Sequence, residues 1–423
     1  MPDVNARRFQ TKAFRIAMNK RRPRLAVVSP FVDKHHGTER YVAEWVSHLA
    51  DQFEIHVYSQ NAEGLDFSRV TWHKISKLPG PHILNYLWWF TSNQLRRGWD
   101  ARFAGLRYDL TFSPGINCLD ADVISVHIVF AELLRRNSPA AASGKPPAFG
   151  SARWLHRQLY YRLIAFLEKR IYTNPVTSLI LITPRTAAPL QEFYGRTGPF
   201  PAVYFGLDHD VFNPTRRLEL RDAARQKLHL APEHFALLLI GNGWQNKGLP
   251  VILEAMGRLR ELPLHLLIVG RDDPSPYQSA LQNNSLTDRI HFLPVRPDVE
   301  FYYSAADIYV GPSKEDVLPL PPAEAMACGV PVIVSAACGI SEIISDAENG
   351  IVVRDSSDAA ALAAKIRQLY ESATLRARLS ERAISTVQQY TWERNTRAFA
   401  ALLMEALEKK HPAHAASERQ DAS

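Results

Sequence analysis

Acids, glycines and a lysine stand in this chain where a bound ligand would need them. Residues 311–350 read as one strand, loop, helix and strand unit, with Glu315 and Asp316 in the loop and Glu324 in the helix opened by Pro321 and Pro322. Proline suits the first helical position, and a carboxylate in the first turn meets unpaired backbone N–H groups, so Glu324 is expected there in a fixed place. Cys328 and Gly329 close the helix, 332–335 supply the next strand, and Cys338 and Gly339 turn the chain toward Glu342 at another helix start. Taken singly, Glu324 reads as a helix-start carboxylate and Asp316 as a turn acid.

A second stretch carries the opposite charge. After the apolar run 237–240 come Gly241, Gly243, Lys247 and Gly248, then a helix opened by Pro250. A lysine just ahead of free helical N–H groups offers a diphosphate both a point charge and a dipole, the alternative being a solvent lysine at a glycine turn. Nearer the start, strand 25–28 feeds a loop with Gly37 and Thr38 into a helix ending at Leu49, and His127 stands at the end of strand 123–126. Ligands of open α/β sheets lie beyond the carboxyl ends of strands, so His127 is well placed, although a lone histidine is usually structural.

The string PSKEDVLPLPPAEAMACGVPVIVSAACGISEIISDAENGIVV resembles the donor-binding signature of the retaining glycosyltransferases of family four, in the lipopolysaccharide-core and exopolysaccharide branch. The resemblance runs over about residues 25–400 and implies an α/β GT-B fold, two doubly wound Rossmann-like domains facing a cleft. It pairs Asp316 with the family's sugar-contacting acid and Glu324 with its ribose-binding glutamate, and adds Glu315, Leu318 and Leu320 to the donor site. It gives Lys247 the donor diphosphate, with Gly241 and Gly243 in the same loop. Gly37-Thr38 falls in the loop closing over the donor, and His127 meets the transferred sugar; the catalytic set is Asp316, Lys247 and His127. The chain departs from the pattern in two places. Val317 and Pro319 stand where the family places small residues, often glycine, and the family's second basic residue has no counterpart among 243–246.

The resemblance also implies a domain plan. Residues 1–24 form a basic flexible arm, 25–206 an acceptor-binding domain, and 207–390 a nucleotide-sugar-binding domain. Residues 391–410 form a terminal helix returning to the first domain, and 411–423 a disordered tail. The expected activity is transfer of a hexose-type sugar, with retention, from a nucleotide diphospho-sugar, UDP before GDP. The acceptor is expected to be a lipid-linked or other glycan of cell-envelope polysaccharide synthesis. Neither metal nor cofactor is called for, and Asp272-Asp273 read as loop acids. The rivals are a GT-B epimerase or phosphorylase and a catalytically impaired nucleotide-sugar-binding subunit.

Composition bounds the remaining choices. The 423 residues, 46% of them hydrophobic, suffice for two full cores. No apolar run approaches the ~20 residues of a membrane span, and the start lacks a secretory apolar segment, so a cytoplasmic protein is expected. Three cysteines without ligand spacing read as small buried residues. A net charge of +7 asks for an anionic partner, yet no nucleic-acid motif is present. Residues 84–103 interleave Trp88, Trp89, Phe90 and Trp99 with Arg96, Arg97 and Arg102. That pattern fits either an anionic membrane surface, with the protein peripheral on the inner face, or a core helix with a solvated basic side. Residues 138–151 read as an exposed loop beside the acceptor opening. In 154–172, Leu159, Leu163, Phe166, Leu167 and Ile171 are expected to share one buried face.

Overall fold

The computed structural model describes residues 21–33, 37–136 and 152–411. Most of the basic arm, the histidines at 35 and 36, the loop 138–151 and the tail beyond 411 lie outside the described residues. The chain divides into two compact units, one of residues 1–204 with 395–423, the other of 205–394.

Unit 1 is a six-stranded parallel sheet. Its strands are β1 (Arg24–Val28), β2 (Glu54–Ser59), β3 (Val70–Lys74), β4 (Leu110–Pro114), β5 (Val123–Val126) and β6 (Ser178–Leu181), in the order β3-β2-β1-β4-β5-β6. The helices between them are α1 (Gly37–Leu49), α2 (His82–Phe103), α3 (Phe130–Arg136) and α4 (Ala152–Tyr172), with α5 (Ala187–Tyr194) after β6. Strands β4 and β5 are buried at every position, which a parallel sheet covered by crossover helices demands.

Unit 2 repeats the plan. Strands β7 (Phe235–Ile240), β8 (Leu264–Val269), β9 (Ile290–Leu293), β10 (Ile308–Gly311), β11 (Val332–Ser335) and β12 (Ile351–Val353) lie in the order β9-β8-β7-β10-β11-β12. Its main helices are α6 (Pro214–Lys227), α7 (Leu249–Arg258), α8 (Glu300–Ala305), α9 (Leu320–Ala327), α10 (Ala359–Glu371) and α11 (Ala373–Val387). In each sheet the winding reverses once, between β1 and β4 and between β7 and β10, and a doubly wound sheet opens a crevice for ligands at that point.

The last helix, α12 (Trp392–Lys410), joins unit 1 from Asn395 onward. Trp45 of α1 stacks on Phe399 with centroids 4.0 Å apart and donates its indole N–H to Asn395 Oδ1 at 2.6 Å. Lys410 ends the helix on Asp122 at 2.8 Å.

Several expectations from the sequence need correction. Helix α2 is neither a uniform membrane face nor a plain core helix. Trp89 is buried with its N–H on Asn117, and Arg97 is buried in a two-pronged pair with Asp120 at 2.6 and 2.7 Å. Arg96 binds the buried Asp100, whereas Leu95, Trp99 and Phe103 face outward, 62 to 74% exposed. The arm is not free to residue 24: Arg24 opens β1 and pairs with Glu54, and Arg22 donates to the Ala50 carbonyl. Helix α6, an arginine-rich stretch with no apolar period, went unread. Its Arg216, Arg221 and Arg225 pair with Glu300 and Asp307, so an ionic face does the packing.

The buried face of α4 is turned from the expected one. Ile164, Leu167, Glu168 and Ile171 go inward, while Leu159 and Phe166 are exposed. Glu168 is 0% exposed and accepts from the Phe130 and Ala131 N–H groups and the Tyr194 hydroxyl. Those donors favour the carboxylate, but burial outweighs them and pushes the group from 4.5 to about 7. An acid whose folded pKa is raised stabilises the fold fully below its unfolded pKa and loses that stabilisation as pH climbs to the folded value. Unfolding of the full chain and of Glu168→Gln in urea should therefore diverge with pH. Wild type loses about 2 to 3 kcal/mol relative to the variant between about pH 5 and 8. Parallel pH profiles would show that Glu168 is not the titrating group.

Candidate functional site

The end of β7 runs into two glycines that the geometry requires. Gly241 and Gly243 take φ of +131° and +74°, where a side chain is strained. A Cβ on Gly241 would press Lys247 Cε at 3.1 Å, because the lysine folds back over this backbone. Asp272, expected to be a plain loop acid, fixes the turn by accepting from the Gly243 and Trp244 N–H groups at 3.1 and 2.7 Å. Gly248, at φ +87°, caps α7 and leaves no room for a Cβ, which would meet the Pro312 carbonyl at 2.5 Å.

That contact brings the loop after β10 against the loop after β7. Asn246 donates to the Glu315 carbonyl at 2.6 Å, the Lys314 N–H donates to the Asn246 carbonyl at 2.8 Å, and Lys247 pairs with Asp316. The two side chains of the pair are 15 and 19% exposed, so they stay reachable while neighbouring groups strengthen their attraction. From the other side, the Gly339 N–H donates to the Asp316 carbonyl at 2.8 Å. A Cβ at Gly339 would lie 1.5 Å from the Val317 carbonyl oxygen, so the backbones touch there. Glu315 and Val317 remain partly exposed, while Leu318, Pro319 and Leu320 are buried.

Glu324 departs from its expected place. Helix α9 begins at Leu320, so Glu324 lies in the second turn, beyond the unpaired N–H groups of the first. Its carboxylate is buried and accepts from the Tyr303 hydroxyl at 2.7 Å. Both Glu324 and Asp316 act on the buried Tyr309 phenol, which burial above all holds far from ionising. The structure thus gathers Gly241, Gly243, Lys247, Glu315 and Asp316 at the β7/β10 switch point, with Glu324 on the helix that follows. Asp272, Asn246 and Tyr303 were missed; Gly270, two residues before Asp272, and the asparagine next to Lys247 were the available signals.

Thr38 and His127 meet in unit 1. His127 Nδ1 lies 3.4 Å from Thr38 Oγ1 and Nε2 lies 3.0 Å from Ser125 Oγ. Burial drives its pKa down to about 4, so at neutral pH the ring is an uncharged hydrogen-bonding group. Gly37 opens α1, and none of the described residues comes within 4 Å of a Cβ placed there, so none of them demands a glycine.

With this geometry in view, the likenesses to known proteins are informative. Residues 221–386 match the family model described as Glycosyl transferases group 1. The D-inositol 3-phosphate glycosyltransferase of Thermomonospora curvata is 30% identical over 54% of this chain and 57% of its own length. The lipopolysaccharide glucosyltransferase WaaG of Escherichia coli is 27% identical over 53% of this chain and 61% of its own. The chain thus spans a little under two thirds of these relatives. Among solved structures, WaaG superposes with TM-score 0.73 at 21% identity, covering 88% of this chain and 98% of that one. HepE from Anabaena, in complex with UDP-glucose, gives 0.67 at 18% identity, covering 90 and 99%. Residues 221–386 thus resemble the glycosyl transferases group 1 model, and the chain has the GT-B fold.

Proposed function

We propose that the chain is a retaining glycosyltransferase moving a hexose-type sugar from a nucleotide diphospho-sugar, UDP in preference to GDP, to a lipid-linked or glycan acceptor of cell-envelope polysaccharide. One observation carries the reading: a reachable lysine and carboxylate pair at the β7/β10 switch point, beside the N-terminus of α7, with a buried glutamate on the next helix. Breaking a sugar-phosphate bond builds negative charge on the leaving diphosphate and positive charge on the ring. Lys247 and the α7 N–H groups answer the first, and Asp316 orients the ring through its hydroxyls. Glu324, steadied by Tyr303, accepts from the ribose hydroxyls. His127 is assigned as an uncharged partner for a sugar hydroxyl. The WaaG relative, a lipopolysaccharide glucosyltransferase by name, supports both the donor class and the envelope acceptor.

Donor hydrolysis and transfer measured over a panel of nucleotide sugars test the reading. Epimerised donor, or binding without turnover, would sink it. Lys247→Ala should lower kcat by about 10²-fold or more with a smaller change in KM, since its charge matters most as the bond breaks. A raised KM with intact kcat would leave Lys247 a simple binding residue. For Glu324→Gln, calorimetric titration with UDP should show binding weaker by about 1.5 to 3 kcal/mol, because a charged acceptor becomes a neutral one. Unchanged affinity removes Glu324 from the site.

For the acceptor we propose a lipid surface reached by the outer face of α2, where Leu95, Trp99 and Phe103 stand beside Arg102. No described helix is long and apolar enough to cross a membrane, so contact would be peripheral. Arg97 is excluded from this role by its pairing with Asp120. Replacing Leu95, Trp99 and Phe103 together by serine should lower cosedimentation with anionic vesicles, leaving UDP affinity unchanged. Full recovery of the variant with the vesicles would favour a soluble acceptor.

A further inference from the structure

Unit 1 has its own cavity at the corresponding switch point, between the ends of β1 and β4, where Pro30, Pro114 and Gly115 form its edge. Its volume is about 230 Å³, below the roughly 300–1,000 Å³ of drug-sized sites, so it suits one ring rather than a chain of them. Tyr86, Phe130 and Tyr160 build one wall. Tyr160 lies edge-on to both of the others, with centroids 5.5 and 6.0 Å away. His127 lines the same cavity.

We propose that this cavity binds the acceptor as an uncharged, hydroxyl-rich sugar ring, held by Tyr172 and Asn85 and packed on the aromatic wall. The inference rests on the glycosyltransferase reading and names the chemistry of the acceptor.

Tyr172 points to a missing partner. It is 1% exposed and lines the cavity, and its hydroxyl has no hydrogen-bond partner among the described residues. A buried hydroxyl left so costs about 1–3 kcal/mol, which a ligand hydroxyl would relieve. Asn85 receives Gln60 on its carbonyl oxygen at 3.3 Å, which leaves its NH₂ group to donate.

The charge balance then selects the ligand. None of the described residues lining the cavity is a lysine or arginine. Burial lowers His82 below its ordinary value and takes His127 to about 4, so both rings are neutral near pH 7. The one acid, Glu168, is already engaged by Phe130, Ala131 and Tyr194. Lys77 lines a neighbouring depression and stands 6.0 Å over the Phe31 ring. Among the described residues lining the cavity no cation meets a phosphate, and Lys77 lines the neighbouring depression instead, whereas a neutral ring finds donors, acceptors and apolar faces.

The test is saturation-transfer NMR on the full chain. The probes are methyl glucoside, galactoside and mannoside, their 6-phosphates, and inositol phosphate. At least one neutral glycoside should bind better than its phosphate. Tyr172→Phe, nearly the same shape, and Asn85→Ala should each weaken it about tenfold, with UDP titration unchanged. Binding should persist beside an unreactive 2-fluoro nucleotide sugar, which would displace a ring lodged in the donor's place. Preference for the phosphates, indifference to Tyr172→Phe, displacement by that donor, or no glycoside binding would overturn the assignment. Loss of UDP binding in the wild type would instead defeat the donor reading, separately from the sugar result.

Discussion

The proposed donor site depends on keeping two opposite charges, Lys247 and Asp316, mostly buried and in contact while both stay open to a ligand. Their attraction is strengthened where water is partly excluded, but each charge also loses solvation there, so the surrounding backbone must hold both in register. The structure does this with turns rather than side-chain bulk. Gly241, Gly243 and Gly248 let one loop fold close, Asp272 fixes its N–H groups, and Asn246 ties it to the loop bearing the acid. An arriving diphosphate would find a lysine already placed, and Asp316 would exchange one partner for another instead of being freshly desolvated.

How much of this was legible depended on whether a residue's role is written in local spacing. Strands such as β5 and β7 are short runs buried on both faces, and they stand out against amphipathic helices, so the alternating plan could be read directly. Lys247, Asp316 and their glycines were legible for a similar reason, since loop, glycine and helix start are adjacent in sequence. Glu324 was placed a turn too early, because helix boundaries shift by a residue or two and here the helix starts at Leu320.

What could not be read was long-range pairing of charges. Arg97 is separated from Asp120 by β4, and nothing near it in sequence shows that one arginine of the 96–97 pair goes inward while its neighbour bonds along the helix. Helix α6 hid for the same reason, its partners Glu300 and Asp307 lying in a distant segment. Glu168 is the sharpest case: a glutamate followed by Lys169 and Arg170 looks like the polar edge of α4, and only the folded chain brings Phe130, Ala131 and Tyr194 around it.

The contact between Gly339 and Val317 separates two kinds of position in the donor loop. It is made by backbone on both sides, so a glycine is compulsory at 339, while the side chain at 317 takes no part in it. Asp316 is therefore anchored through its own carbonyl and not through the residues that follow it. Val317 stays partly exposed, so its side chain can change what a ligand meets without loosening the acid beside it, whereas Pro319 is buried at the cap of α9 and is held by packing.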